Sequence, residues 1–325
     1  MKLVSKLVLL VTCVGLAQLA ALQAAAQSYP TKPIRVIAPS GAGGPVDITC
    51  RAVSQALSEV MGQQIVVENR VGAAGLIGTE LVAKAPPDGY TLLFGFSGPL
   101  AIVPNLNPNT PYDVQRDLVP ITQVAAQPYV LLVHPSVPAK SVKELVALAK
   151  SRPGTMNFSS GGTGVGIHMA GELFNIAAGV KIVHVPYKGA APAMTALMAG
   201  EVDLMFNTIA PVLPHIRSGK LRALAVGGDK RAALFPDLPT FKESGYDFKT
   251  GGWYGVLAPK GVPQSVVTAL QNGLIKALAS PELKKLFEKL AIEIVVTSPQ
   301  EFADLIRTES ALWAKVIKTA GLQVK

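Results

Sequence analysis

The sequence predicts an α/β protein of two doubly wound lobes. Short apolar runs bounded by Pro or Gly alternate with segments of helical period from Ile34 to Val226. The alternation runs through two rounds. Each round contains a strand, a glycine-rich loop and a helix in succession, at Pro39–Asp47 and again at Ser159–His168. A chain of 325 residues suits roughly two domains of about 150 residues. With 49% hydrophobic and 16% charged residues it can bury a large core and is too apolar for disorder.

The elements follow in order. Ile34–Ala38, between Pro33 and Pro39, reads as a buried strand. Val46–Met61 has helical period, with Ile48, Val53, Leu57 and Val60 on or near one face and Gly62 as its stop. A strand at Ile65–Val67, a helix at Leu76–Lys84, the Asp88-Gly89 turn and a strand at Tyr90–Phe94 complete the first round. That order implies parallel pairing with right-handed crossovers. The second round reads as a strand at Tyr129–Val133, a helix at Ser141–Lys150 with a Ser141/Glu144 capping box, and a strand at Met156–Phe158. A helix at Gly164–Ala178, a strand at Ile182–Val185, a helix at Ala191–Ala199 and strands at Val202–Phe206 and Leu221–Val226 follow. Three helices opened by Pro263, Pro281 and Pro299 close the chain, each proline being expected at the first helical position. Trp313 falls on the apolar stripe of the last one and reads as core.

Lys2 and Lys6, an apolar stretch Leu7–Leu22 and Ala24-Ala25-Ala26 describe a cleavable secretory signal peptide over residues 1–26. The mature chain would keep one cysteine, Cys50, which excludes an internal disulfide and reads as a small buried hydrophobe. The formal charge of +9 comes from scattered Lys and Arg, and aromatics are only 6%. Neither a basic stripe nor a stacking surface is present, so no nucleic-acid partner is expected.

The two loops carry most of the functional information. Ser40-Gly41-Ala42-Gly43-Gly44-Pro45-Val46-Asp47 and Ser159-Ser160-Gly161-Gly162-Thr163-Gly164-Val165-Gly166-Ile167-His168 each leave a strand and enter a helix. Glycines let several N–H groups converge, and the helix end adds positive potential, so each loop can cradle an anion. Neither contains Lys or Arg. Three or four donors at about 1.5–3 kcal/mol each can hold a carboxylate without a cationic side chain. A phosphate-binding Gly-x-x-x-x-Gly-Lys-Ser/Thr is absent. A dinucleotide fingerprint is weakened by Val46 at the third glycine position. Gly95-Phe96-Ser97-Gly98-Pro99 lacks the last glycine of a nucleophile elbow. His134, His168, His184 and His215 show no metal spacing, and His134 and His215 read as surface or structural. His168 and Glu172 share a helix face and read as an exposed or capping pair. No cofactor, catalytic residue or metal ligand is expected.

Several blocks, in one order, resemble the Bug family, the extracytoplasmic solute-binding proteins of tripartite tricarboxylate transporters. They are Tyr29-Pro30-Thr31-Lys32-Pro33-Ile34, Gly43-Gly44-Pro45-Val46-Asp47 with Arg51, Glu68-Asn69-Arg70-Val71-Gly72-Ala73-Ala74-Gly75 and Pro87-Asp88-Gly89-Tyr90-Thr91-Leu92-Leu93. His184-Val185-Pro186-Tyr187-Lys188-Gly189, Gly219-Lys220-Leu221-Arg222-Ala223-Leu224-Ala225 and Trp253-Tyr254-Gly255 follow. The resemblance implies a type II periplasmic-binding fold of Venus-flytrap form, with crossing strands joining the lobes. The first lobe would span residues 27–125 and 227–325, and the second 126–226. It implies a non-catalytic, monomeric periplasmic protein that captures a small carboxylate solute and delivers it to integral membrane permease subunits. It places Ser40, Gly41, Ala42, Gly43, Gly44 and Asp47 on one side of the solute. Ser160, Gly161, Thr163, Gly164 and His168 would face them, with Ser97, Tyr187, Asn207, Thr208 and Trp253 along the cleft. Asn207 departs from the Asp of many relatives, and the second loop lacks the serines often seen before the His. These changes admit an amide or another neutral or cationic end to the solute. An exported hydrolase using Ser97 or His168, and a ligand-presenting sensor of the same fold, are the rival classes.

Overall fold

The computed structural model describes residues 29–322; the signal-peptide reading lies outside them. Ten strands form one curled sheet: β1 Ile34–Ala38, β2 Ile65–Asn69, β3 Thr91–Phe96, β4 Leu118–Val133, β5 Asn157–Ser160, β6 Val183–Pro186, β7 Leu204–Thr208, β8 Arg222–Val226, β9 Gly251–Pro259 and β10 Glu293–Ile294. The order is β2-β1-β3-β9-β4-β7-β5-β6, with β8 and β10 also paired to β4. β1 lies parallel between β2 and β3, and β5 lies parallel between β6 and β7. The chain thus builds the same three-strand unit twice, which is the two-round alternation read from the sequence.

β4 joins the units. Leu118–Pro128 pairs with β9, and Tyr129–Val133 pairs with β7. The chain returns beside it: Gly227 N–H donates to the Tyr129 carbonyl at 2.8 Å, and Tyr129 N–H donates to the Thr250 carbonyl at 3.1 Å. The sequence pattern reveals only the Tyr129–Val133 part of β4 and neither β9 nor β10. Pro120, Gln123, Gln127 and Pro128 break the apolar pattern of β4. The ladder accommodates this stretch with register shifts between Pro120 and Thr122 and between Gln123 and Ala125.

Apolar side chains fill both halves. Ile34, Val36, Leu92, Phe94, Val256, Leu270 and Leu274 centre one core; Leu131, Phe158, Phe174, Phe206 and Phe241 centre the other. Leu234, Leu238, Tyr246 and Phe248 pack against the second. Helix Pro45–Met61 buries Thr49, Cys50, Val53, Ser54 and Leu57, while Ile48 and Val60 are exposed. Its inner face is therefore rotated from the expected one, because Asp47 and Cys50 turn inward. Burial pushes the Cys50 thiol up to about 12. Helix Gln264–Leu278 takes Pro263 as its N-cap, one position before the expected role. Helix Pro281–Lys289 starts after Ser280, and helix Pro299–Ala320 after Ser298, each proline at the first position. Ser141 does cap helix Val142–Ser151, but the Glu144 carboxylate accepts the Lys140 N–H at 2.7 Å instead of completing a box with Ser141. Helix Ile209–Arg217, unpredicted, follows β7 directly.

Candidate functional site

The two glycine loops occupy equivalent places. One follows β1, the other β5, each the central strand of its parallel unit. In each unit the next connection leaves on the opposite side, so the loop opens at a topological switch point, where open α/β sheets bind ligands. Ser97 follows β3, while Asn207 and Thr208 end β7, so they stand beside the two loops at the same sheet ends.

The first loop is organised by charge. Asp47, 3% exposed, accepts from the Gly43 N–H at 2.8 Å, Arg51 Nε at 2.9 Å and Asn69 Nδ2 at 2.8 Å. Asn69 also donates to the Ser40 carbonyl at 3.1 Å and accepts from Arg51 Nη2 at 2.8 Å. Burial pushes the Asp47 carboxyl up, but the bonds from Gly43, Arg51 and Asn69 outweigh it and hold it below the usual carboxylate range. Gly43 has φ +75°, a conformation that favours glycine. Gly41, Ala42 and Gly43 are exposed. The N–H groups of Ala42, Val46 and Asp47 donate to no acceptor among the described residues.

The second loop is organised by neutral groups. The Gly164 N–H donates to His168 Nδ1 at 3.1 Å. Ser160 Oγ contacts His184 Nε2 at 2.6 Å, donates to the Gly162 carbonyl at 2.9 Å and accepts the Gly162 N–H at 3.2 Å. The His168 and His184 rings lie with centroids 3.9 Å apart, tilted by 37°. A Cβ on Gly161 would meet Ala190 N at 2.9 Å, and one on Gly166 would collide with the Tyr129 hydroxyl. The helix begins at Gly166, two residues later than expected, because Gly164 sits at φ +83°. Thr163 is exposed, and the N–H groups of Thr163, Gly166 and Ile167 find no acceptor among the described residues. His168 is 1% exposed, which corrects the exposed or capping reading of its pair with Glu172, whose Oε1 lies 3.6 Å from Nε2.

Segment 97–106 lies between the loops. A Cβ on Gly75 would touch both Pro99 and the Pro39 carbonyl, at 3.1 and 3.2 Å, and one on Gly164 would reach Leu106 at 2.8 Å. Ala101, Ile102 and Leu106 cluster with Met169, Leu173, Trp313, Val316 and Ile317, joining both halves through the last helix. Ser97, Asn207, Thr208 and Trp253 are buried, and Tyr187 is half-buried. Asn207 Oδ1 accepts the Thr208 N–H at 2.8 Å. The hydroxyls of Ser40 and Thr208 and the Trp253 Nε1 are buried without a hydrogen-bond partner among the described residues. Trp253 packs edge-on against Phe302 within the core. Sequence reasoning misses Asn69, Tyr129 and His184 as supports, and Glu309, whose Oε2 accepts from Trp313 Nε1 at 3.4 Å. Only the Glu68-Asn69-Arg70 and His184-Val185-Pro186 blocks signalled two of them. Among the described residues no group of three or more His, Cys, Asp and Glu side chains could hold a metal ion.

Residues 49–322 match the model of the tripartite tricarboxylate transporter family receptor. The chain belongs to that family. It is 38% identical to the protein BugT of Bordetella pertussis, over 92% of this chain and 93% of that one. Among solved structures, a periplasmic transporter has a TM-score of 0.81 at 38% identity, covering 92% and 100% of the two chains. The R. palustris Rpa4515 protein with adipate scores 0.81 at 34% identity, over 91% and 99%. MatC of Rhodopseudomonas palustris with bound malate scores 0.78 at 30% identity, over 89% and 100%. The receptor described here thus shares the fold of periplasmic solute-binding proteins, and its resemblance to the Bug family holds across the chain.

Proposed function

We propose that this family member is a periplasmic receptor for a small dicarboxylate, held between loops Ser40–Asp47 and Ser160–His168 and passed to integral membrane permease subunits. The observation that carries the reading is the pairing of two glycine loops at equivalent switch points, each with unused N–H groups at the start of a helix. Two anion cradles fit two carboxylates, and two relatives of this fold were solved with adipate and with malate. The contacts assigned to the solute are the N–H groups of Ala42, Val46, Asp47, Thr163, Gly166 and Ile167 and the hydroxyls of Ser40, Thr163 and Thr208. Asp47, Ser160, Gly164, His168 and Asn207 shape the loops; Ser97 and Tyr187 line the cleft, and Trp253 supports it from the core. In this reading the second lobe extends from Tyr129 to Thr250 because residues 232–248 pack on its core, beyond the boundary at 226 expected from the sequence. Export through the signal peptide and a monomeric state belong to the same proposal.

Calorimetry with four- to six-carbon dicarboxylates, set against monocarboxylates and amino acids, tests it. A dicarboxylate is expected to bind best, and Thr163→Val to weaken it by about five- to thirty-fold with the apo melting temperature unchanged. Binding of a monocarboxylate or an amino acid in preference to every dicarboxylate would refute the solute class.

A further inference from the structure

The second loop rests on a feature that solute capture alone does not require. The rings of His168 and His184 pack with centroids 3.9 Å apart and tilted by 37°, with Phe158 at 6.2 and 4.9 Å from them. Each ring holds one glycine of the loop. His168 Nδ1 accepts the Gly164 N–H directly, and His184 acts on Gly162 through Ser160.

The proton positions follow from donor counting. An Nδ1 that accepts from an N–H carries no proton, so neutral His168 is protonated on Nε2. That Nε2 has no hydrogen-bond partner and lies 3.6 Å from Glu172 Oε1, beyond bonding distance. Ser160 Oγ satisfies all its contacts when it donates to the Gly162 carbonyl and accepts from both the Gly162 N–H and a proton on His184 Nε2. The His168 ring is then neutral, and His184 keeps its donor on Nε2. A second proton on His168 must enter at Nδ1, where the Gly164 N–H already points. Two donors would face each other, and the loop would have to release Gly164.

We infer that His168 is a positioning residue that holds the second glycine loop in its binding shape only while it is neutral, with His184 fixing the same loop through Ser160, so that acidification loosens the loop and releases the solute. The inference rests on the reading that this loop contacts the solute. The titratable groups facing the pair are Glu172 on the helix of His168 and the two imidazoles themselves. Burial first, and the neighbouring His168 second, push the His184 imidazole down to about 3. This keeps that ring neutral at neutral pH.

Two readouts test the inference, one of them free of any solute. In the apo protein, backbone ¹H–¹⁵N resonances of Gly162 and Gly164 are followed from about pH 7.5 to about pH 4.5, with the ring resonances of His168 and His184. The Gly164 amide is expected to move with the protonation of His168. His168→Asn places an amide oxygen near the position of Nδ1, where it accepts the same N–H without titrating, and is expected to hold Gly164 still over that range. The second readout is calorimetry with adipate and malate across the same range. Protonation of these acids affects both proteins alike. Affinity should therefore fall about tenfold further in the wild type than in His168→Asn.

A Gly164 amide that ignores the histidine titration would overturn the inference, and so would equal pH dependence of affinity in the two proteins. If neither acid binds at neutral pH, those two solutes are excluded, while the amide titration still decides the loop mechanism. If His168→Asn does not fold, the wild-type Gly164 and His168 titrations must coincide for the inference to stand.

Discussion

The two glycine loops hold equivalent places in the sheet and are built from opposite materials. The first is tied by a buried carboxylate, an arginine and an asparagine that share one set of bonds. The second is tied by two neutral imidazoles and a serine hydroxyl. Its backbone is also wedged against neighbouring chain, whereas a Cβ on Gly41 or Gly43 of the first loop would meet nothing within 4 Å. The same task, presenting N–H groups at a helix start, is solved by an ionic clamp on one side and by close packing on the other. The first loop should therefore depend on a fixed buried charge, and the second on close packing around neutral rings.

The largest effect that can break this contrast comes from size. Gly161→Ala sets a methyl against Ala190 N and the Gly189 carbonyl carbon, both backbone atoms that cannot swing away. Differential scanning calorimetry should show a loss of about 2–3 kcal/mol. Gly41→Ala should cost no more than about 0.5 kcal/mol. Equal costs would end the distinction.

Charge comes next. Asp47→Asn turns an amide N–H₂ or a lost acceptor toward groups that all donate, and chemical denaturation should report a loss of about 1–3 kcal/mol at pH 7. Because the native Asp47 carboxyl titrates below its unfolded value, this contribution is present above the ordinary carboxylate pKa and is lost as pH falls through the native one. The stability difference between wild type and Asp47→Asn should therefore shrink in acid. A difference that grew in acid would contradict the clamp.

The smallest expected effect has the opposite sign. Burial raises the Glu309 carboxyl, so the native state binds more protons than the unfolded chain above the ordinary carboxylate pKa. Its contribution is present in acid and fades as pH rises. Glu309→Gln should raise the melting temperature at pH 8 by about 1 °C and lower it slightly at pH 4. A fall at pH 8 would mean that the charged form is the one the fold prefers.

Much of the fold was legible because parallel strands buried on both faces write themselves as apolar runs. Ile34–Ala38 and Thr91–Phe96 stand out for that reason, whereas β5, Asn157–Ser160, is short and mostly polar. The crossing strands do not, since β4 carries two prolines and two glutamines, and β9 opens on Gly251-Gly252. Their identity comes from pairing with residues far away in the chain. Both candidate loops were legible through glycine spacing and placement between strand and helix. What holds them was not. Asn69 reaches Asp47 across 22 positions and His184 reaches Ser160 across 24, distances at which no local pattern survives. The sequence also suggested that crowded glycines mean open N–H groups. In the structure Gly161 and Gly166 are required by close approach, and Gly162 and Gly164 by positive φ. The unused donors belong mostly to their neighbours.

The place of β9 has a consequence for how the chain comes into being. β9 fills the gap between β3 and β4, yet it is synthesised long after both. Strands β5 to β8, by contrast, are contiguous in the chain. A newly made polypeptide therefore has all the strands of one parallel unit and its neighbours while the other waits with the β3 edge open, a surface that other chains can pair with. Closing that edge requires contacts of long sequence separation, which form slowly. Helix Gln264–Leu278, which packs on helix Pro45–Met61, comes later still. Assembly thus runs against the order of synthesis. The ionic clamp, near the beginning of the chain, gains its full surroundings only when almost the whole chain has arrived, and chaperones that protect unfolded chains should linger longest on the N-terminal part.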